Sequence, residues 1–340
     1  MPTFCRHNRF IERCPICKTT LPGQSARAHP GRSPRAASAA QRRPARRDGA
    51  EGNRHAGVRI YADGSERGRE DGYCSPLVPG LRSSTDAQRL ADEITFASAR
   101  LLQLTTEPHG SYRHAAAIAA RGELESASWL CFLIAYLSPT SGSDPFRGIE
   151  QIHGSGQAPQ GGGQPSIEDA QLESVPLGPR SCHQPRRGAG ALRAYLSWAQ
   201  RSGSQRAGLT GNPSWSPERR FERIFERLSL PGITRAVRYE FLLSLGALGI
   251  FEMRADTLCL LAAPAMDPVL ASAKRVFGIG DAVHLERRAV TLAEACGVPV
   301  GALDLALFNW GAPQRATLGA DTGGIRQDAG GAAAAALSLR

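Results

Sequence analysis

The chain has 340 residues, of which 41% are hydrophobic, and a formal net charge of +10. This is enough for one large domain or two small ones with a real core. The sequence has no run of about 18 apolar residues and no apolar block at its start, which excludes a helical membrane span and a secretion signal. We therefore predict a cytoplasmic protein without a membrane partner, and we expect a monomer.

The positive charge is unevenly distributed. Residues 1–59 carry 13 basic and 3 acidic side chains, whereas residues 60–340 carry 28 of each. Within the second part, residues 180–238 hold 12 arginines against Glu218, Glu222 and Glu226. This local excess favours nucleic acid as a partner. The alternative is that the arginines interleaved with these glutamates form only a solvated helix face with ion pairs at i,i+4.

Four metal-ligating side chains lie within 13 residues near the N-terminus: Cys5, His7, Cys14 and Cys17. Thiolate and imidazole ligands at this spacing suit zinc, and four protein ligands leave no open coordination position. We predict a structural zinc unit at residues 1–24 and no organic cofactor. The alternative is a chance cluster in a disordered segment. Cys182-His183 has no paired C-x2-C, and we interpret it as incidental.

Helical periodicity dominates the remaining sequence, and no segment has a convincing strand period, so the predicted fold is all-α. Residues 25–85 are predicted to be a disordered basic linker, 86–312 a helical domain with a flexible insertion at 151–188, and 313–340 a disordered tail. The predicted helices begin near 86, 114, 123, 191, 217, 234, 268, 282 and 301. The helix at 123–137 is apolar nearly all round, which indicates a buried central position.

The most informative window runs from residue 230 to residue 258. An amphipathic helix stops at Pro231-Gly232, and a second helix is expected from Thr234 to Leu248, with its arginines off the apolar face. In such a hairpin, a glycine lets the backbone approach a phosphate, and N–H groups at the second helix's start can bind it. An ordinary bundle connection is the alternative. The predicted DNA-binding residues are Leu230, Pro231, Gly232, Ile233, Thr234, Arg235 and Arg238.

Three segments, 128–146, 214–258 and 302–311, resemble the helix-hairpin-helix DNA glycosylase superfamily. Together with the CxH and CPxC unit, they resemble the alpha-glutamyl/putrescinyl thymine pyrophosphorylase family, clade 3, whose members are associated with hypermodified bases in phage DNA. The superfamily motif is L-P-G-hydrophobic-G followed by an aspartate, often in D-T-H. Residues 230–233 and Asp256-Thr257 match, whereas Thr234 replaces the second glycine and Leu258 replaces the histidine.

The resemblance implies a two-lobed helical fold that binds double-stranded DNA in the cleft between its lobes. It also implies Asp256 as the catalytic carboxylate, although the residues alone favour a helix N-cap at this position. A flipped base needs a pocket with polar and aromatic walls. The candidates are Tyr136, Ser138 and Thr140 at the end of the buried helix, and Tyr239, for which core packing is the alternative.

Lysine is scarce, since only Lys18 and Lys274 occur in the chain. Strand cleavage through a Schiff base usually needs an amine near the sugar, and the hairpin, including its second helix, contains no lysine. We therefore predict a monofunctional DNA glycosylase that removes a modified base, such as a bulky, phage-type hypermodified base, and leaves an abasic site, in a phage-defence setting. The alternatives are a pyrophosphorylase-type enzyme of thymine hypermodification and a non-catalytic zinc-containing DNA-binding protein.

Overall fold

The computed structural model describes residues 68–140, 142, 144–155, 172, 175–185, 189–320 and 330–339. The chain divides into two compact units, 1–59 and 60–340, and the described residues all belong to the second. The predicted zinc ligands Cys5, His7, Cys14 and Cys17, and most of the predicted linker, lie outside the described residues.

The described residues are mostly helical, without a strand, which confirms the all-α prediction. A short 3-10 helix spans Leu260–Ala262. The α-helices are α1 (Ser84–Thr106), α2 (Gly110–Ala120), α3 (Leu124–Leu137), α4 (Arg147–Ser155), α5 (Gly190–Arg201), α6 (Gln205–Thr210), α7 (Pro217–Arg227), α8 (Arg235–Ala247), α9 (Pro268–Phe277), α10 (Ala282–Cys296), α11 (Ala302–Gly311) and α12 (Gly330–Ala336).

Side-chain caps explain where several of these helices begin. Ser216 accepts a hydrogen bond from the Arg219 N–H at 3.2 Å, and Pro217 occupies the first turn of α7. The Asp267 carboxylate accepts from two backbone N–H groups at the start of α9. Such caps satisfy donors that have no partner inside the helix. The helix starts that the sequence predicted at residues 217 and 268 are therefore confirmed.

Helix α3 lies at the centre of the described fold, because its apolar residues face neighbours on every side. It packs against α2, α4, α6 and α8. Residues 127–137 are all buried, and Phe132 stacks on Tyr195 of α5 with the ring centroids 3.7 Å apart. Each large apolar side chain buried in this way contributes about 1.5–3 kcal/mol. The predicted central position of this helix is confirmed.

Several segments that we expected to be irregular pack into the fold. In the predicted insertion, residues 175–185 return to the core, where Arg180 is buried and the Gly178 N–H donates to the Leu137 carbonyl. Val78, before α1, and residues 316–320, after α11, are also buried. These segments are short and rich in glycine and proline, so they carry no periodicity that would have revealed their burial.

A chain of buried ion pairs joins distant parts of the fold. Its six members have alternating charge and are each almost fully buried. They are, in spatial order, Arg100, Glu240, Arg180, Asp304, Arg235 and Asp267. We call this set the buried ion-pair chain. It connects α1, α8, the segment before α5, α11 and the start of α9.

The charges in this chain stabilise one another. Burial alone would raise the pKa of Asp304, but the nearby guanidinium groups of Arg235 and Arg180 outweigh it and hold that pKa below its ordinary value. Burial lowers the pKa of Arg235, and the carboxylates of Asp304 and Asp267 reverse this, so its pKa is raised. Asp304 and Arg235 are therefore both ionised inside the protein.

We expect Asp304→Ala to lower the free energy of unfolding by about 3–5 kcal/mol, because Arg180 and Arg235 would each lose a partner and remain buried. Urea unfolding followed by circular dichroism measures this change. Asp92→Ala, on the exposed side of α1, is the control and should change stability by less than about 0.5 kcal/mol. A loss below about 1 kcal/mol for Asp304→Ala would contradict the importance of the chain.

A histidine joins α4 to α3. The His153 Nε2 atom lies 3.0 Å from the Ser126 hydroxyl and 3.2 Å from the Ser126 carbonyl oxygen. Burial lowers the pKa of His153, while its contact with the Ser126 backbone acts in the opposite direction. His114 and Glu150 are its titratable neighbours. The folded state therefore disfavours protonation of His153, and the stability that the neutral histidine supplies is lost on acidification.

We expect α4 to loosen as the pH falls below 6.5, the ordinary pKa of histidine. The stability that His153 supplies is fully present above that pH and is lost as the pH falls through the lower pKa of the folded state. Hydrogen exchange of residues 147–155, corrected for the intrinsic effect of pH, measures this. The His153→Gln variant should show no such pH response, and an equal response in both proteins would rule out this histidine as its source.

Candidate functional site

The turn between α7 and α8 exposes its backbone. Gly232 has a φ of +79°, a conformation that glycine adopts at little cost, and Pro231, Gly232 and Thr234 are exposed. Ile233 points into the core, and its N–H donates to the Leu230 carbonyl. The Thr234 hydroxyl accepts a hydrogen bond from the Val237 N–H and so caps α8. The N-terminus of α8 therefore opens at the surface beside an exposed glycine.

A cavity of about 630 Å³ lies beside this turn. Its walls come from the turn, from the start of α5, from the segment before α5 and from α3. The lining residues are Tyr136, Ser181, Cys182, Gln184, Gly190, Ala191, Pro231, Gly232, Ile233 and Thr234. We call it the turn cavity. Its described lining has hydroxyl, thiol and amide groups but no charged side chain, so it suits a neutral ligand with hydrogen-bonding edges.

Two hydrogen bonds connect polar side chains at the turn cavity to neighbouring groups. The Tyr136 hydroxyl hydrogen-bonds with His183 Nδ1 at 2.8 Å, and the Ser181 hydroxyl donates to the Tyr136 carbonyl. Burial raises the pKa of the Cys182 thiol, although hydrogen bonds from the backbone and hydroxyl of Thr234 act in the opposite direction. The thiol is therefore neutral at pH 7 and is held against the cap of α8.

The predicted base-pocket residues separate into two groups. Tyr136 lines the turn cavity together with the predicted hairpin residues 231–234. Ser138, Thr140 and Tyr239 are not among the lining residues. Ser138 is fully buried, with its carbonyl packed against Gly178. Tyr239 is also buried, and its hydroxyl donates to the Thr257 carbonyl at 2.7 Å, so the packing alternative describes it better.

The two arginines that we predicted at the DNA surface lie inside the fold. Arg235 belongs to the buried ion-pair chain, and its side chain is completely buried. Arg238 donates to the Phe225 carbonyl at 3.1 Å, with its guanidinium over the Phe225 ring. The prediction placed both side chains off the apolar face of α8, but neighbouring elements cover that side of the helix as well. Neither guanidinium can reach a phosphate in this arrangement.

The arginine-rich stretch 180–238 divides between core and surface. Four of its described arginines are buried, namely Arg180, Arg220, Arg235 and Arg238. Six are exposed, namely Arg193, Arg201, Arg206, Arg219, Arg223 and Arg227. Arg223 pairs with Glu226 at 3.0 Å, as the solvated-face alternative expects. The positive surface near the turn is therefore smaller than the sequence suggested, and it lies mainly on α5, α6 and α7.

Asp256 is exposed, and among the described residues no hydrogen bond or ion pair of its carboxylate is found. It does not cap a helix, because the next helix begins at Leu260 with Cys259 in the capping position. The N-cap alternative is therefore not supported. Asp256 does not line the turn cavity. Its loop follows α8, and buried side chains bind the backbone directly after Asp256.

Sequence reasoning missed the contribution of residues 181–184 to the turn cavity. We had assigned Cys182-His183 to a surface insertion because glycine, glutamine and proline dominate the stretch before it. The signal that could have found it is the concentration of Arg180, Cys182 and His183 just ahead of the amphipathic helix α5. Arginine, cysteine and histidine side chains are unusual together in a flexible loop, and in this structure Arg180 and His183 are buried.

Among the described residues, no group of three or more histidine, cysteine, aspartate or glutamate side chains could hold a metal ion. Within that same part of the chain, no helix has the length and apolarity that crossing a membrane requires. Comparisons with protein-family models, with curated proteins and with solved structures found no match. The family resemblance of the sequence therefore stays a prediction.

We expect Gly232→Ala to destabilise the protein more than Gly249→Ala does. Both glycines have positive φ, which costs an alanine about 1–2 kcal/mol. An added Cβ at Gly232 would also lie 3.0 Å from the Ala191 Cβ, whereas the space around Gly249 is open. The difference between the free energies of unfolding of the two variants, measured in urea, reports the contact between the turn and α5. Equal losses would show that the turn does not rest on α5 as described.

Proposed function

We propose that this chain is a monofunctional DNA glycosylase of the helix-hairpin-helix type, which releases a modified base from double-stranded DNA and leaves an abasic site. The hairpin is α7, the turn at 228–234 and α8, within a two-lobed domain. The N-terminal Cys/His unit would hold a structural zinc and assist DNA binding. The observation that carries the proposal is that the hairpin and Tyr136 of the central helix line one cavity.

The turn cavity is suited to a base that has left the duplex. Its volume of about 630 Å³ lies within the range of about 300–1,000 Å³ that small-molecule sites span. A flipped base is recognised by stacking and by hydrogen bonds to its edge. Gln184 can both donate and accept hydrogen bonds, and Ser181 and Thr234 also line this space. This lining would accept a neutral base with a substituent.

In this proposal, the phosphate backbone contacts the surface next to the cavity. The exposed Pro231-Gly232 turn leaves room for close approach, and the N-terminus of α8 carries partial positive charge. Exposed arginines on α5 and α7, including Arg193 and Arg219, add positive charge nearby. In the proposal these groups replace Arg235 and Arg238 as the side chains that attract DNA.

Asp256 is the proposed catalytic carboxylate. As the glycosidic C–N bond breaks, positive charge develops on the sugar, and a fixed carboxylate stabilises it. Water then supplies a hydroxyl group to the sugar carbon and a proton to the departing base. No amine is needed, which agrees with the scarcity of lysine in the chain. The Asp256 carboxylate is exposed and has no partner among the described residues, so it is accessible to a bound sugar.

A non-catalytic DNA-binding protein is the second candidate. The position of Asp256 favours it, since this residue is not part of the turn cavity lining. In that case the hairpin and the exposed arginines would bind DNA without base release. The two candidates differ in one measurable property, which is the appearance of free base and abasic sites in bound DNA.

We expect Asp256→Asn to reduce base release at least about 100-fold while leaving DNA affinity unchanged, because the stabilising charge is lost and the shape is kept. The substrates are a panel of cellular and modified phage DNAs, and the assay detects free bases and abasic sites. Glu252→Gln is the matched control, since Glu252 is an exposed acid in the same connection after α8. Unchanged release by Asp256→Asn would remove Asp256 from the mechanism.

A further inference from the structure

Four backbone groups after Asp256 are bound by three buried side chains. The Tyr239 hydroxyl donates to the Thr257 carbonyl at 2.7 Å, and Arg235 Nη1 donates to the Leu258 carbonyl at 2.8 Å. Glu286 of α10 accepts hydrogen bonds from the N–H groups of Leu258, at 2.7 Å, and Leu260. We call this arrangement the loop clamp. It fixes the backbone of residues 257–260, directly after Asp256.

The backbone before Asp256 is also fixed. The Arg254 N–H donates to the Pro217 carbonyl at 3.2 Å, and Ala255 is buried. Asp256 therefore lies between two anchored segments, one attached to α7 and the other to α8 and α10. Its own side chain remains exposed. The structure restrains the backbone on both sides and leaves the carboxylate without a partner among the described residues.

Arg235 connects the loop clamp to the turn cavity. It is the first residue of α8 and follows Thr234, which lines the cavity. Its guanidinium bonds in three directions, through Nε to Asp267, through Nη1 to the Leu258 carbonyl and through Nη2 to Asp304. Only the planar fork of an arginine serves three such partners at once. The place of the Asp256 loop is thus set relative to the start of α8.

Stability alone does not account for this arrangement. Burying charged groups is costly, and well-packed apolar side chains often stabilise a core equally well. Burial raises the pKa of Glu286, and hydrogen bonds from the Leu258 and Leu260 backbone act in the opposite direction. The hydrogen bonds of Glu286 are with the loop backbone, and the nearby charge of Arg235 also favours its ionised form, so its charge serves mainly to hold the loop.

We propose that the three side chains of the loop clamp, Arg235, Tyr239 and Glu286, are positioning residues, which hold the Asp256 carboxylate at a fixed place relative to the hairpin and the turn cavity. This inference rests on the proposed glycosylase function. A catalytic carboxylate must be held within a fraction of an ångström of its productive position. Residues that keep it there raise the rate of the chemical step and leave the affinity for DNA unchanged.

The test uses the full chain with Glu286→Gln, whose amide keeps the shape but presents an NH₂ group to one of the two loop N–H groups. Hydrogen exchange at Leu258 and Leu260 should accelerate about tenfold, equivalent to about 1.4 kcal/mol. The single-turnover rate of base release should fall about 10-fold or more, with the dissociation constant for DNA within about twofold of the original. Glu294→Gln, on the exposed side of α10, is the matched control.

Tyr239→Phe provides a milder variant if Glu286→Gln does not fold, because it removes only the bond to the Thr257 carbonyl. We expect a smaller acceleration of exchange in the same loop and a smaller loss of rate. Unchanged exchange at 257–260, or base release within about twofold of the original in both variants, overturns the positioning role alone. A wild-type protein that binds DNA but releases no base from any substrate overturns the proposed function as well.

Discussion

The rest of the described fold depends on the buried ion-pair chain that runs from Arg100 on α1 to Asp267 at the start of α9. Its six charges are balanced, and every member has an opposite charge within 4.0 Å. Its members come from five parts of the chain, and only Arg235 and Glu240 share a helix. The packing of α1, α8, α9 and α11 therefore requires that all of these side chains find their partners together.

This constraint also explains the layout of the candidate site. Arg235, which directly follows the turn, is committed to the interior, so the turn presents backbone and uncharged side chains to solvent, and the exposed arginines lie on α5, α6 and α7. Arg235 also donates to the loop that follows Asp256. The buried ion-pair chain is thus part of a layout in which a neutral cavity, a positive surface and an exposed carboxylate are separate. A base-releasing enzyme would need these three parts.

Nine of the twelve α-helices among the described residues, and their order, could be predicted from the sequence because helix formation is governed by local patterns, whereas α4, α6 and α12 were missed. Periodic apolar residues, Pro-Gly at 231–232 and the caps at Ser216 and Asp267 act within a few residues of one another. The burial of α3 was also predictable from its composition. The segments at 68–83, 175–185 and 316–320 were not, because their burial comes from contacts with helices far away in the chain.

By itself, the sequence determined the all-helical class, most helix bounds and the exposed glycine turn, since these follow from local backbone preferences and hydrophobic periodicity. Only the tertiary structure decided which polar side chains face solvent. Arg235 and Arg219 are both helical arginines in one basic stretch, and only Arg235 has carboxylates from two distant elements beside it. Charge becomes buried where such partners converge, and this convergence is a property of the three-dimensional fold, which no local pattern contains.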